Sequence, residues 1–219
     1  MNGKRVFVSL LILVLACTFS TAVSAKNSVG VKPGDWVEYN VSFTGTPPPE
    51  HDAVWARMEV GTVEGARVIA TFTSRLANET TLNVVEDLDF EAGRLIDLFI
   101  IPSDLDVGDT FHDQAVGDVT IDSVEIRAGA GASRTVVHAV TSDTQWYWDR
   151  STGVVVEART SNPVYTLDTV ASVTSLWNPQ ILGLDSNVFY AVVILVAGIV
   201  ASAVVGLMFL RKRKRSRMQ

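Results

Sequence analysis

The chain has 219 residues, 18 of them basic and 24 acidic, for a formal charge of −6. That balance conceals a split: every acidic residue falls between Lys26 and Asn187, where ten basic residues oppose 24 acidic ones for −14, whereas the C-terminal RKRKRSR is strongly basic. So acidic an interior argues against nucleic acid as a partner, because phosphate contacts need clustered Lys and Arg, and a single cysteine, Cys17, rules out an internal disulfide framework.

At the N-terminus Lys4 and Arg5 precede an uncharged apolar run from Val6 to Ala16, and Val23-Ser24-Ala25 supplies a cleavage site, so residues 1–25 are predicted to be a signal peptide. The run is shorter than the roughly 20 apolar residues that a membrane-spanning helix needs. Cys17 offers an alternative as a lipid-modified N-terminus, although Leu15 fits that pattern poorly. Cleavage after Ala25 leaves a mature chain without cysteine.

Residues 26–182 are predicted to form one extracytoplasmic β domain. DWVEYNVSF alternates, with Val37, Tyr39, Val41 and Phe43 on one face and Glu38, Asn40 and Ser42 on the other. GTPPPEH is a stiff loop, because consecutive prolines hold extended dihedrals and donate no ladder bonds. AVWARMEV and ARVIATFT flank GTVEG as a hairpin, TTLNVVED follows a turn near Asn78, and RLIDLFII reads as an apolar strand or short helix. Further strands are expected in DVTIDSVEIRA, SRTVVHAVT, TQWYWDR, GVVVEART and VYTLDTVASVTSLW. KPGDWV, DVGDTF and AVGDVT each place Gly-Asp before a β-prone residue, as turns that open a strand. The expected fold is mostly β: an antiparallel meander forming a strongly curved sheet or up-and-down barrel, with a β-sandwich as the alternative.

After a linker over 183–187, Val188 to Leu210 carries no charged residue, and a transmembrane helix is predicted there. Arg211, Lys212, Arg213, Lys214 and Arg215 follow at once in a basic tail, residues 211–219, which the positive-inside rule keeps cytoplasmic. The expected topology is therefore single-pass in the cell membrane, with the β domain outside. Gly198, Ser202 and Gly206 recur every four residues, a spacing that lets two helices approach closely and makes a homo-oligomer through this helix a possible partner state.

Motifs that carry chemistry are scarce. Asp104, Asp106 and Asp109 cluster, but the further ligands of a calcium loop are missing, and His51, His112 and His138 lack zinc spacing. No nucleophile elbow or glycine-rich phosphate loop occurs, so no catalytic residue, metal or cofactor is assigned. Two sequons, at Asn40 and Asn78, are candidate glycosylation sites. In QWYWDRSTGVVVEAR, alternation puts Trp146 and Trp148 on one face and Tyr147 and Asp149 on the other, and the tryptophans either pack in the core or form a stacking platform. Asp149 to Gly153 reads as the turn.

GVKPGDWVEYNV, IIPSDLDVGDTF, YWDRSTGVVVEA and ILGLDSNVFY, in that order ahead of the basic tail, resemble a group of archaeal single-pass surface proteins with β-rich ectodomains. The YWDRSTG hairpin is also similar to those of curved-sheet lipoprotein-carrier folds, whose concave sheet holds an apolar ligand; that likeness is one of fold alone. Neither resemblance transfers a functional residue. The favoured expectation is a membrane-anchored surface module binding an extracellular protein, a glycan or an apolar ligand. A structural envelope component assembled laterally through its helix comes second, and an extracytoplasmic hydrolase last.

Overall fold

The computed structural model describes residues 28–48 and 52–215, with side chains described through Ser202 in the C-terminal helix. The predicted signal peptide and Cys17 lie outside the described residues. Four strands lead the chain: β1 Trp36–Gly45, β2 Ala53–Glu64, β3 Arg67–Leu76 and β4 Thr81–Asp89. A small hairpin, β5 Thr110–Asp113 and β6 Gly117–Thr120, precedes five more: β7 Ser123–Gly129, β8 Ala132–Thr141, β9 Thr144–Asp149, β10 Val155–Ser161 and β11 Tyr165–Thr174. Two short strands, β12 Gln180–Ile181 and β13 Leu184–Asp185, lead into helix α1, Ser186–Arg215.

Nine strands form one antiparallel sheet in the order β4-β3-β2-β1-β11-β10-β9-β8-β7. Two meanders are thus joined by pairing the first strand with the last, through a register running from Val37 opposite Thr174 to Gly45 opposite Tyr165. There is one large sheet, and its ends β4 and β7 pair with nothing further in that order. The sheet coils: the Ala130 amide, just past β7, donates to the Ala171 carbonyl in β11 at 2.9 Å. An added Cβ at Gly129 would lie 2.5 Å from Val156 Cγ1, so glycine permits that approach.

Strand chemistry explains the local structure. In β1, Val37 and Tyr39 are buried whereas Asn40 and Ser42 are exposed, the period of two that the sequence carries. The β2–β3 turn lies at Gly65-Ala66, and Gly61 sits inside β2 at a bulge between Val60 and Thr62, so GTVEG is mostly strand. The Gly-Asp repeats hold at two sites in one way: Asp35 Oδ2 accepts the Lys32 amide at 2.9 Å and Asp109 Oδ2 accepts the Asp106 amide at 2.8 Å. At the third, Asp118 instead meets His112 Nδ1 at 2.7 Å.

RLIDLFII is neither strand nor helix. Leu95, Leu98, Ile100 and Ile101 are all buried, so it lacks the exposed face that alternation would require. It runs across the inner face of the sheet, with Ile100 bridging Val154 and the Ile101 amide donating to the Gly153 carbonyl at 3.0 Å. Ile96, Asp97 and Leu98 all have positive φ, an arrangement that costs about 1–2 kcal/mol per residue and persists only because tertiary contacts impose it.

The C-terminal segment also differs from expectation. The supposed linker at 183–187 contains β13 and the start of α1. Trp177 Nε1 donates to the Gly129 carbonyl at 3.1 Å, the Gln180 amide to Gly131 at 2.8 Å and the Ser186 amide to Pro179 at 2.9 Å, so sheet and helix are joined by packed structure. Among the described residues no helix is long and apolar enough to cross a membrane. Residues 203–210 of the uncharged run belong to α1 but lie beyond its described side chains, as do Arg211 to Arg215.

Candidate functional site

The segment between β4 and β7 fills only one end of the inner face. Burial within β1 records this, falling from Val37 and Tyr39, both 0% exposed, to the half-buried Val41 and Phe43. Beyond the filled end lies a groove of about 560 Å³. Val41, Ala56, Phe72, Val84, Ala158 and Leu167 form its apolar walls, and Ile96 and Phe99 close one side. It is open: Val84 is 48% exposed, and Val116 across the groove 47%. The registers Phe43 opposite Leu167, Leu167 opposite Thr160 and Thr160 opposite Thr144 place it at the strand ends opposite those that lead to α1.

The two tryptophans share this face but not one role. Trp148 is fully buried; its Nε1 donates to the Leu98 carbonyl at 2.7 Å, and Phe111 meets it edge-on at 5.9 Å. Trp146 is half-buried, stacks on Trp148 at 5.7 Å and 8°, donates from Nε1 to Thr141 Oγ1 at 2.7 Å, and lines the groove. Tyr147 points to the outer face, stacked on His138 with the Arg127 guanidinium 3.9 Å from its centroid.

Asp149 is buried and structural. Oδ1 accepts from Ser151 Oγ, Thr152 N and Thr152 Oγ1, and Oδ2 from Arg134 Nε at 2.6 Å. Beside it a smaller polar cleft of about 330 Å³ holds Arg134 and Arg150, but both guanidiniums are engaged, Arg150 with the Leu105 carbonyl and Asp106. Asp106 and Asp109 cap amides of their own loop, and no group of three or more His, Cys, Asp or Glu suited to a metal occurs among the described residues.

The remaining candidates are dispersed. Asn40 and Asn78 are exposed, on the outer face of β1 and in the β3–β4 turn, where Asn78 Oδ1 accepts the Thr80 amide at 2.9 Å. Ser202 Oγ donates to the Gly198 carbonyl at 2.8 Å within its own helix, open space surrounds Gly198, and Gly206 lies beyond the described side chains.

Sequence reasoning missed the groove residues Phe72, Phe99, Glu86 and Asp97. One signal was available: in TLNVVEDLD the inner positions 82, 84, 86 and 88 read Leu, Val, Glu, Leu, a charge where alternation calls for an apolar residue. No protein-family model matches the chain, and no curated protein matches it.

Proposed function

We propose that the protein is a membrane-anchored extracytoplasmic binding module that holds an apolar ligand in the groove of a strongly curved sheet. The groove carries this reading: its volume falls in the range of roughly 300–1,000 Å³ typical of small-molecule sites, its walls are largely apolar, and it is left open on a face whose other end is tightly packed. Anchoring rests on the uncharged run from Val188 to Leu210 and the basic residues after it. Asp149 serves the hairpin, and Asp35, Asp106, Asp109 and Asp113 accept amides of their own turns, so binding accounts for the architecture better than hydrolysis does.

The test uses the full chain in intact membranes and a long-chain alcohol bearing a photoactivatable diazirine. Adducts should map to β3, β4 and the segment 96–99, and Ala158→Trp, which places an indole in the groove, should remove them. Adducts confined to residues 188–210 in the wild-type chain would sink the proposal.

A further inference from the structure

Resting on that groove as the binding site, we infer that its ligand is an amphiphile with a cationic head: an alkyl chain carrying an ammonium group, as distinct from a fatty acid or another anionic lipid. Four acidic residues line the groove, Glu86, Asp97, Asp113 and Asp143, and no Lys, Arg or His is among the described residues that do so. They are not equivalent. Asp113 is buried and accepts the amides of Leu95, Ala115 and Val116, so it holds the β5–β6 turn. Asp143 is exposed at the β8–β9 turn and accepts only neutral donors, Thr144 Oγ1 and Asn162 Nδ2.

The side-chain carboxylates of Glu86 and Asp97 make no hydrogen bond or ion pair with any described residue. Glu86 is half-buried in the β4 wall, and Asp97 is exposed at the rim on the strained left-handed turn. Elsewhere on the molecule, acids beside the sheet have found basic partners: Glu38 with Arg57, Asp87 with Arg67, Glu157 with Arg127, Asp168 with Arg159. Around the groove no such cation occurs among the described residues.

The aromatic lining points the same way. Trp146, Phe72 and Phe99 line the same space as the unpaired acids. Aromatic faces attract cations through the ring quadrupole and suit ammonium groups, whereas an anionic head would meet both acids and π-faces unfavourably. Apolar walls for a chain, rings and carboxylates for a positive head, and, among the described residues, no basic side chain to receive a carboxylate or phosphate together define the ligand class.

The test is competition against the diazirine alcohol on the full chain in intact membranes, with octylammonium, octanol and octanoate as competitors of equal chain length. Octylammonium should halve groove labelling at a concentration at least ~10-fold below octanol, and octanoate should be the weakest of the three. In Glu86→Gln/Asp97→Asn the octylammonium-to-octanol ratio should fall to near 1, whereas Asp168→Asn on the outer face should leave it at the wild-type value. Equal potency of octylammonium and octanol on the wild-type chain, or stronger competition by octanoate, would overturn the inference while leaving the groove itself intact. Absence of groove labelling by the alcohol would instead remove the binding site on which the inference stands.

Discussion

Substituting Asp149 by Asn separates a structural acid from a chemical one. The side chain is 1% exposed and accepts four hydrogen bonds, one from the Arg134 guanidinium. Asn keeps the shape but turns one acceptor into a donor, which must face either Arg134 Nε–H or the three donors from Ser151 and Thr152. Either orientation sets donor against donor and leaves the half-buried Arg134 guanidinium without its counter-charge. Hydrogen bonds to a charged group contribute about 1.5–3 kcal/mol each, and breaking a buried pair from one side costs about 3–5 kcal/mol. Because the geometry of the turn survives, the lower part of that range applies, and about 3 kcal/mol should be lost. This is a large fraction of the roughly 5–15 kcal/mol that holds a domain folded. The assay is urea denaturation of the full chain followed by tryptophan fluorescence, since Trp146 and Trp148 lie on the same strand as Asp149. Asp168→Asn is the control, as its 3.5 Å contact with Arg159 is exposed and should contribute under about 1 kcal/mol. Asp149→Asn of wild-type stability that had lost groove labelling would refute the argument, and would make Asp149 a binding residue.

Three other outcomes follow from the structure. Burial pushes the Tyr39 phenol well above its ordinary value of about 10, so its contribution is complete below that pH and is lost as pH rises. Tyr39→Phe, which abandons the bond to the Val155 carbonyl, should be about 1 kcal/mol less stable at neutral pH, yet more stable than wild type in alkaline melts above pH ~11, because the wild type loses up to about 1.4 kcal/mol per pH unit there; parallel curves would contradict this. Gly153 has φ +73° and an added Cβ would clash with the Ile101 carbonyl oxygen, so Gly153→Ala should cost ~2 kcal/mol or more and lower the melting temperature; an unchanged melt would show that the segment between β4 and β7, the plug of the inner face, can move aside. Gly198→Leu should abolish crosslinked dimers in intact membranes if the helix associates through its small-residue face, and dimers that persist would assign assembly elsewhere.

Much of the strand content was legible because alternation is a local property: DWVEYNVSF reveals its buried face without neighbours, whereas in TQWYWDR Tyr147, Trp148 and Asp149 are all buried. RLIDLFII defeated the same reasoning, since its buried residues Leu95, Leu98, Ile100 and Ile101 follow neither period, and its left-handed turn is held by the β9–β10 hairpin and Trp148. The pairing of β1 with β11 is equally invisible, because backbone ladders look alike whichever strand supplies them. Trp146 and Trp148 were assigned a common face, and the structure supplies what local sequence lacks, namely where the plug ends: one ring lies beneath it and the other beyond it. Glu86 could have been noticed as a charge in an apolar phase, but its isolation from any Arg becomes visible only once the sheet is assembled.

The contacts of Trp177, Gln180 and Ser186 have a mechanical consequence. They leave no slack between the sheet and α1, so an embedded helix would carry the β domain as a stalk of fixed height. The groove occupies the strand ends away from that junction, and a ten-residue strand rising ~3.4 Å per residue would separate the two by up to about 30 Å. Such a stalk would measure out a distance, presenting its cargo at one level above the membrane and leaving hand-over to whatever stands at that height.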